Sequence, residues 1–352
     1  RRCGWTRRAA CRRRGGERRS RCAWGFLPDR WAGVRCQVHD PRVRERIDLL
    51  LGAGLASIIT DQYLAFYLLA RGVHMGLRRG TRKQQVLALS SEQFISQLEP
   101  GGEAHGEAAF ALAEPLAQRI GDQEGLAVAH TYRGMTQTQL GQGFRSEVTF
   151  EIAERIAAEK VSKSAGQLPW IRMFLAAYRL GRGRISEGAE LHGALVVEAR
   201  ERGDLALEAH VQVGVFYRPM LMLGRPDRDR HDVDDVLERI SAHVPGFSLM
   251  HFYATLARAR NQLYAGGGEE VLDYLAAHRT RIRRSGALRS GVNVALYRCL
   301  LGAAALAAAE SAEPRQRLQH LRRARKLALG LARWGTNGPF YAAMLGAGPC
   351  VL

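Results

Sequence analysis

The chain lacks every short motif that would mark an enzyme working through a bound nucleotide or a catalytic metal. No G-x-x-x-x-G-K-[ST] phosphate loop occurs in its 352 residues, so no backbone cradle for a nucleoside triphosphate is expected. Gly181-Arg182-Gly183 begins like a dinucleotide motif, but Ser186 stands where the third glycine belongs. The segment has no strand before it and reads as a turn between two helices. The kinase sequences His-Arg-Asp, Asp-Phe-Gly and Val-Ala-Ile-Lys are missing, and His278-Arg279-Thr280 has no Asp in the catalytic place. His-Glu-x-x-His is absent as well. No catalytic residue, cofactor or metal ligand is therefore expected, and the chain reads as a non-enzyme.

Closely spaced cysteines are also missing. Cys3, Cys11, Cys22 and Cys36 are separated by 7, 10 and 13 residues, and Cys299 and Cys350 are remote. Zinc sites favour pairs two to four residues apart, so the spacing speaks against a structural metal. No secretory signal precedes the cysteines, which speaks against a disulfide framework and for a cytoplasmic protein. Uninterrupted membrane-length apolar runs are lacking too. The stretch 49–70 carries Asp61 and Gln62, and 292–309 carries Arg298; a charge at mid-span is costly in lipid, so both read as buried helices. No alternating β-branched run marks a strand.

What is present is positive charge, unevenly placed. The formal net charge is +18. Residues 1–36 hold twelve Arg against Glu17 and Asp29, a net +10, which leaves +8 for the other 316 positions. Residues 1–40 have no hydrophobic period and read as a disordered or non-native Arg-rich arm. As a second reading, Trp5, Trp24 and Trp31 in this arm offer stacking surfaces to a nucleic acid. Asp232-Val233-Asp234-Asp235, after Asp227 and Asp229, lacks the spacing of a calcium loop and reads as an acidic helix start. Arg322, Arg323, Arg325 and Lys326 read as a solvated helix face.

From Arg44 onward apolar residues recur at helical spacing, beginning with Ile47, Leu50, Leu51, Leu55, Ile58 and Ile59. Helical patterns follow at 82–98 and, after the Pro100-Gly101-Gly102 breaker, at 106–120. Five pairs come next: 125–140 with 144–161, 169–180 with 185–202, 205–223 with 233–240, 247–265 with 269–284, and 286–309 with 314–334. A motif closes the first helix of successive pairs: Leu140-Gly141, Leu180-Gly181, Leu223-Gly224 and Tyr264-Ala265-Gly266. Its glycines lie 40, 43 and 42 positions apart and suit left-handed helix caps. An interval near 40 fits one stacked helix pair per repeat and exceeds the roughly 34-residue tetratricopeptide unit. Small residues such as Ala127, Ala129, Ala176 and Ala304 set close approach, and Phe150, Phe174, Leu195, Phe216 and Leu256 fill the gaps between helices.

These features predict an all-α fold, a right-handed solenoid of tetratricopeptide-like antiparallel helix pairs. The expected division is an arm at 1–40, an N-terminal helical cap at 41–100 and a repeat array at 101–348. His130, His210 and His251 fall in the first helices of different pairs, where packing and groove-lining are both open to them. His130, Arg133 and Gln137 share one helix face, and Arg172 lies in the equivalent helix of the next pair. Together they are the candidate binding residues, suited to an acidic peptide or domain.

Several stretches carry a resemblance. Arg46-Ile47-Asp48, residues 56–70 with Asp61, the run Glu198-Ala199-Arg200-Glu201-Arg202-Gly203-Asp204 and Asn261-Gln262-Leu263-Tyr264-Ala265-Gly266 are similar to the C-terminal tetratricopeptide-like region of large bacterial serine/threonine protein kinases. In that family a kinase domain and an AAA-type ATPase module precede the helical repeats. The resemblance covers roughly residues 44 to 347 and transfers no catalytic residue. It implies a fragment with a sensor or scaffold role, whose partners are a protein or the upstream kinase and ATPase modules. A small-molecule-sensing helical domain is the third reading; no membrane partner is expected.

Overall fold

The computed structural model describes residues 40–96, 102–139, 142–160, 167–213, 218–332 and 341–346. Among them every regular element is helical, as the patterning predicts. The order is α1 (Pro41–Ser57), α2 (Gln62–Arg79), α3 (Arg82–Ser96), α4 (Glu103–Ile120), α5 (Gln123–Gln139), α6 (Gly143–Lys160), α7 (Gln167–Gly181) and α8 (Ile185–Glu201). It continues with α9 (Leu205–Val213), α10 (Pro219–Met222), α11 (Pro226–His243), α12 (Leu249–Tyr264), α13 (Gly268–Arg284), α14 (Gly291–Ser311) and α15 (Pro314–Leu331). A 3-10 turn, Ala287–Arg289, precedes α14, and residues 341–346 are again helical. The Arg-rich arm, four of the cysteines, Cys350, Leu140-Gly141, Pro100-Gly101 and Phe216 lie outside the described residues.

Local chemistry sets the helix starts. Asp61 restarts the chain as a separate helix: its Oδ1 accepts from the backbone N–H of Tyr63 and Leu64 at 3.0 Å each, satisfying two of the donors that open α2. Proline stands in the first turn of α1, α10, α11 and α15, where its missing N–H costs nothing. Pro219 also corrects the expectation of one helix over 205–223. The described part of α9 reaches Val213, Arg218 is extended, and α10 opens at Pro219, because proline has no N–H to bond back into a preceding helix and favours extended backbone at the residue before it. A second correction concerns the acidic cluster. Helix α11 starts at Pro226, so Asp227 and Asp229 are the first-turn acids and Asp232, Asp234 and Asp235 lie further along the helix.

The helix ends reveal a denser rhythm than the Leu-Gly motif. Gly183, Gly203, Gly224, Gly246, Gly266 and Gly286 all take positive φ, between 65° and 88°. They are 20, 21, 22, 20 and 20 residues apart, one per helix rather than one per pair. Gly224 and Gly266 take the left-handed conformation expected of them; Gly181 does not. Helix α7 runs on through Gly181, and Gly183 reverses the chain, donating to the Leu180 carbonyl at 3.0 Å while Arg184 N–H reaches Arg179 O at 3.0 Å.

Most packing is between helices near one another along the chain. Within the compact unit 37–352, α1, α3, α5, α7, α9, α12 and α14 form a row in which each helix touches the next member. Helices α2, α4, α6, α8, α11, α13 and α15 pack against the helices that flank them. The largest apolar cluster is built from α9, α11, α12, α13 and α14, with Phe252, Leu256, Ile240 and Leu275 fully enclosed. A second one places Phe150 of α6 against Phe174 of α7, stacked at 5.4 Å, with Ala127 and Ile171. Leu195 and Leu207 anchor a third between α8 and α9. Alanine and glycine let backbones meet: a Cβ at Gly268 would stand 2.3 Å from Ala308 N. The turn between α1 and α2 reaches the far end of the row. Ile58 and Ile59 join the α9–α14 cluster, and the Arg289 guanidinium lies 4.7 Å over the Tyr63 ring.

Among the described residues only α14 is long and apolar enough to cross a membrane, and 56% of that span is buried within the protein. It carries core residues, Leu296, Leu300, Ala304 and Ala305.

Candidate functional site

Helix α5 holds three of the four candidate residues on one face, as their spacing predicts. Each of the three is engaged inside the fold. His130 is buried, its Nε2 3.3 Å from Glu114 of α4 and its ring edge-on to Phe110 at 5.3 Å. Burial, reinforced by the nearby Arg133 charge, lowers its pKa to about 4, outweighing the partly exposed Glu114 carboxylate. Arg133 lies 4.1 Å over the Phe110 ring and pairs with Glu107 at 3.3 Å. The buried Gln137 amide oxygen accepts from Thr149 of α6 at 2.8 Å. Arg172 stands apart from these three: its Nε donates to Glu154 at 2.9 Å, bracing α7 on α6. The quartet thus fastens α4 to α5, α5 to α6 and α6 to α7.

The other two histidines also pack. His251 sits in the first turn of α12, where it and Ser248 cap each other's backbone. His210 lies between the Trp170 ring at 5.2 Å and the Tyr253 ring at 5.7 Å, both edge-on. Burial brings its pKa down to about 4. Tyr253 then donates its hydroxyl to Asn293 Oδ1 at 3.1 Å, and the Asn293 amide donates to Ala287 O at 2.9 Å. These contacts join α7, α9, α12 and α14 through residues that the sequence reading did not connect. The positions of Trp170, His210, Tyr253 and Asn293 are separated by 40, 43 and 40 residues. That interval, already visible in the glycines, is the signal by which Trp170, Tyr253 and Asn293 could have been found.

Two ionic clusters brace the middle of the row. The buried Arg218 and Asp229 pair at 2.8 Å, Arg218 also donates to the Gln212 carbonyl, and Asn261 donates to Asp229 Oδ2 at 2.9 Å. The buried Glu208 carboxylate of α9 accepts from Arg200 of α8 at 2.7 Å and from Arg239 of α11 at 2.6 Å. Those two bonds hold its pKa below the usual range against the opposing effect of burial.

An open groove of about 390 Å³ runs along α11 and α12, lined by His231, Asp234, Asp235, Leu237, Glu238, Ser241 and Arg258. Arg258 is bound to Asp234 at 2.6 Å, so the lining is acidic overall. No group of three or more metal-ligating side chains occurs among the described residues. No protein-family model and no curated protein matches this chain.

Proposed function

We propose that the chain is a non-catalytic interaction scaffold, a right-handed solenoid of tetratricopeptide-like helix pairs that displays a surface to a protein partner. One observation carries this reading: side chains 40 to 43 residues apart touch across alternate helices, from Trp170 to His210 to Tyr253. A helix pair cannot cover its own apolar stripes, and stacking equivalent pairs covers them. Such an array transmits position well, because each pair is held by its neighbours. His130, Arg133, Gln137 and Arg172 tie neighbouring helices together. The α11–α12 groove is a concavity open to a partner, with Glu238 offering a carboxylate to a basic side chain.

The finer reading rests on the sequence resemblance. The array would be the cytoplasmic regulatory end of a multidomain bacterial serine/threonine kinase with an AAA-type ATPase module, and its nearest partners would be those modules. Incubating the purified chain with ATP and a generic protein substrate tests the non-catalytic part; turnover above a buffer blank would refute it. Reading the DNA upstream of the codon for Arg1 tests the context. In-frame kinase and ATPase modules agree with it, and an immediately preceding in-frame stop codon contradicts it.

A further inference from the structure

Two stretches of the folded part carry positive charge with no acid among it. Residues 62–91 hold five Arg and Lys and no Asp or Glu, and residues 274–309 hold six Arg and no Asp or Glu. The packing brings the two together. The Arg289 guanidinium lies 4.7 Å over the Tyr63 ring of α2. Gly286, in the turn between α13 and α14, sits against the same ring: a Cβ there would stand 2.9 Å from Tyr63 Cε2. Among the described left-handed glycines Gly286 is alone in this, since the other six would meet nothing within 4 Å.

Tyr63 opens an exposed stripe along α2. Tyr63, Tyr67, Arg71, His74 and Arg78 follow one another at intervals of four, four, three and four residues, so they share one helix face. All five are exposed, the two rings by 48% and 56%. One helical turn separates the rings, about 6 Å along the axis. Each ring has a guanidinium beside it: Arg71 Nη1 donates to the Tyr67 hydroxyl at 2.9 Å, using one of the five N–H donors of an arginine. Asp61, the nearest carboxylate along the chain, has its Oδ1 engaged in capping α2. Helix α1, packed on α2, carries three Arg against Glu45 and Asp48. A helix lying on a membrane surface would turn its aliphatic stripe outward. Here Ala65, Leu69, Val73 and Leu77 are buried in the fold, and only Leu64 joins the tyrosines as an exposed large apolar side chain of α2.

We propose that this face of α2, together with Arg289, binds a single-stranded nucleic acid, Tyr63 and Tyr67 stacking on bases while Arg71, Arg78 and Arg289 hold the phosphates. Guanidinium forks match phosphate oxygens in charge and geometry. Every base has a π-face, so exposed rings set among cations grip a strand without reading its sequence. A carboxylate-bearing partner would call on the arginines alone; the two rings add flat π-surface, which nucleobases meet. The surface shares no residue with the Arg-rich arm or with the α11–α12 groove, and it does not depend on the scaffold reading.

The test uses the full chain and a fluorescein-labelled mixed-sequence strand of about 20 nucleotides, as DNA and as RNA. Anisotropy is followed from about 50 to 200 mM salt. The expected result is binding that weakens steeply with salt. Tyr63→Leu/Tyr67→Leu changes no charge and should weaken binding about tenfold or more with the salt slope unchanged. Tyr67→Leu alone should weaken it about fivefold, and it keeps the Tyr63 contact with Gly286 intact should the double variant fold poorly. Arg71→Gln/Arg78→Gln/Arg289→Gln should flatten the log–log salt slope by about two. The loss from Tyr67→Leu should persist when Arg12→Gln/Arg13→Gln/Arg14→Gln removes the same charge from the arm. Parental affinity in both tyrosine variants with unchanged circular dichroism spectra, no binding of either strand, or binding to phosphatidylserine vesicles without binding to either strand would each overturn the proposal.

Discussion

Acidification from pH 7 to pH 5 should remove a large part of the stability of the array, through three histidines. His130, His192 and His210 each have a pKa lowered from 6.5 to about 4, chiefly by burial. In the unfolded chain these imidazoles regain the ordinary value. Below pH 6.5 the unfolded state therefore binds more protons than the folded one, so stability is full above that pH and falls as pH descends toward 4. At pH 5 an imidazole of pKa 6.5 gains about 2 kcal/mol from protonation, whereas one of pKa 4 gains almost nothing. Each histidine thus costs about 2 kcal/mol at pH 5, and the three together about 6 kcal/mol, against a total stability of about 5–15 kcal/mol for a typical protein. Urea denaturation followed by tryptophan fluorescence at the two pH values measures the loss. His210→Phe isolates one contribution: the ring stays between Trp170 and Tyr253 but cannot take a proton. Its loss between pH 7 and pH 5 should be smaller than that of the parent chain by about 2 kcal/mol. Identical losses in the two proteins would refute the burial of a neutral His210.

Packing and backbone predictions follow from individual contacts. Leu195, 1% exposed, should cost about 2–5 kcal/mol as Leu195→Ala, read as a lower urea midpoint and faster proteolysis between α7 and α9. Asp229→Ala should cost about 3–5 kcal/mol in the same denaturation, because it leaves the Arg218 guanidinium buried without its carboxylate. A milder Glu208→Ala would fit the greater exposure of Arg200 and Arg239, which can return to water. Gly268→Ala should lower the melting temperature far more than Gly224→Ala. The former drives a methyl into the α14 backbone, while the latter meets open space and pays only the left-handed strain of about 1–2 kcal/mol.

The helices were legible because their apolar residues keep a 3.6-residue period and their ends carry glycine, proline and aspartate. What escaped is equally physical. Pro219 hides inside an apolar stretch, so 205–223 looks continuous until the extended backbone favoured at Arg218, the residue before the proline, is considered. The Leu-Gly motif caught the ends of first helices and passed over Gly203, Gly246 and Gly286, which close the second helices or their turns without a preceding leucine. His130, Arg133 and Gln137 share a side of α5, and their contacts there are to α4 and α6. Helix α5 is touched by α3, α4, α6 and α7, and a helix surrounded by four neighbours uses its polar residues as internal ties. Spacing within one helix cannot reveal that; spacing between helices can, as the intervals of 40 and 43 residues from Trp170 to His210 to Tyr253 illustrate.

The central claim is that equivalent residues of successive helix pairs stack on one another. Nuclear Overhauser contacts among selectively labelled aromatic rings test it most directly. The account predicts cross-peaks from the His210 ring to Trp170 and to Tyr253, 40 and 43 residues away in sequence, at ring separations of 5.2 and 5.7 Å. Resolved His210 signals that show neither contact would contradict the repeat register and the scaffold built on it.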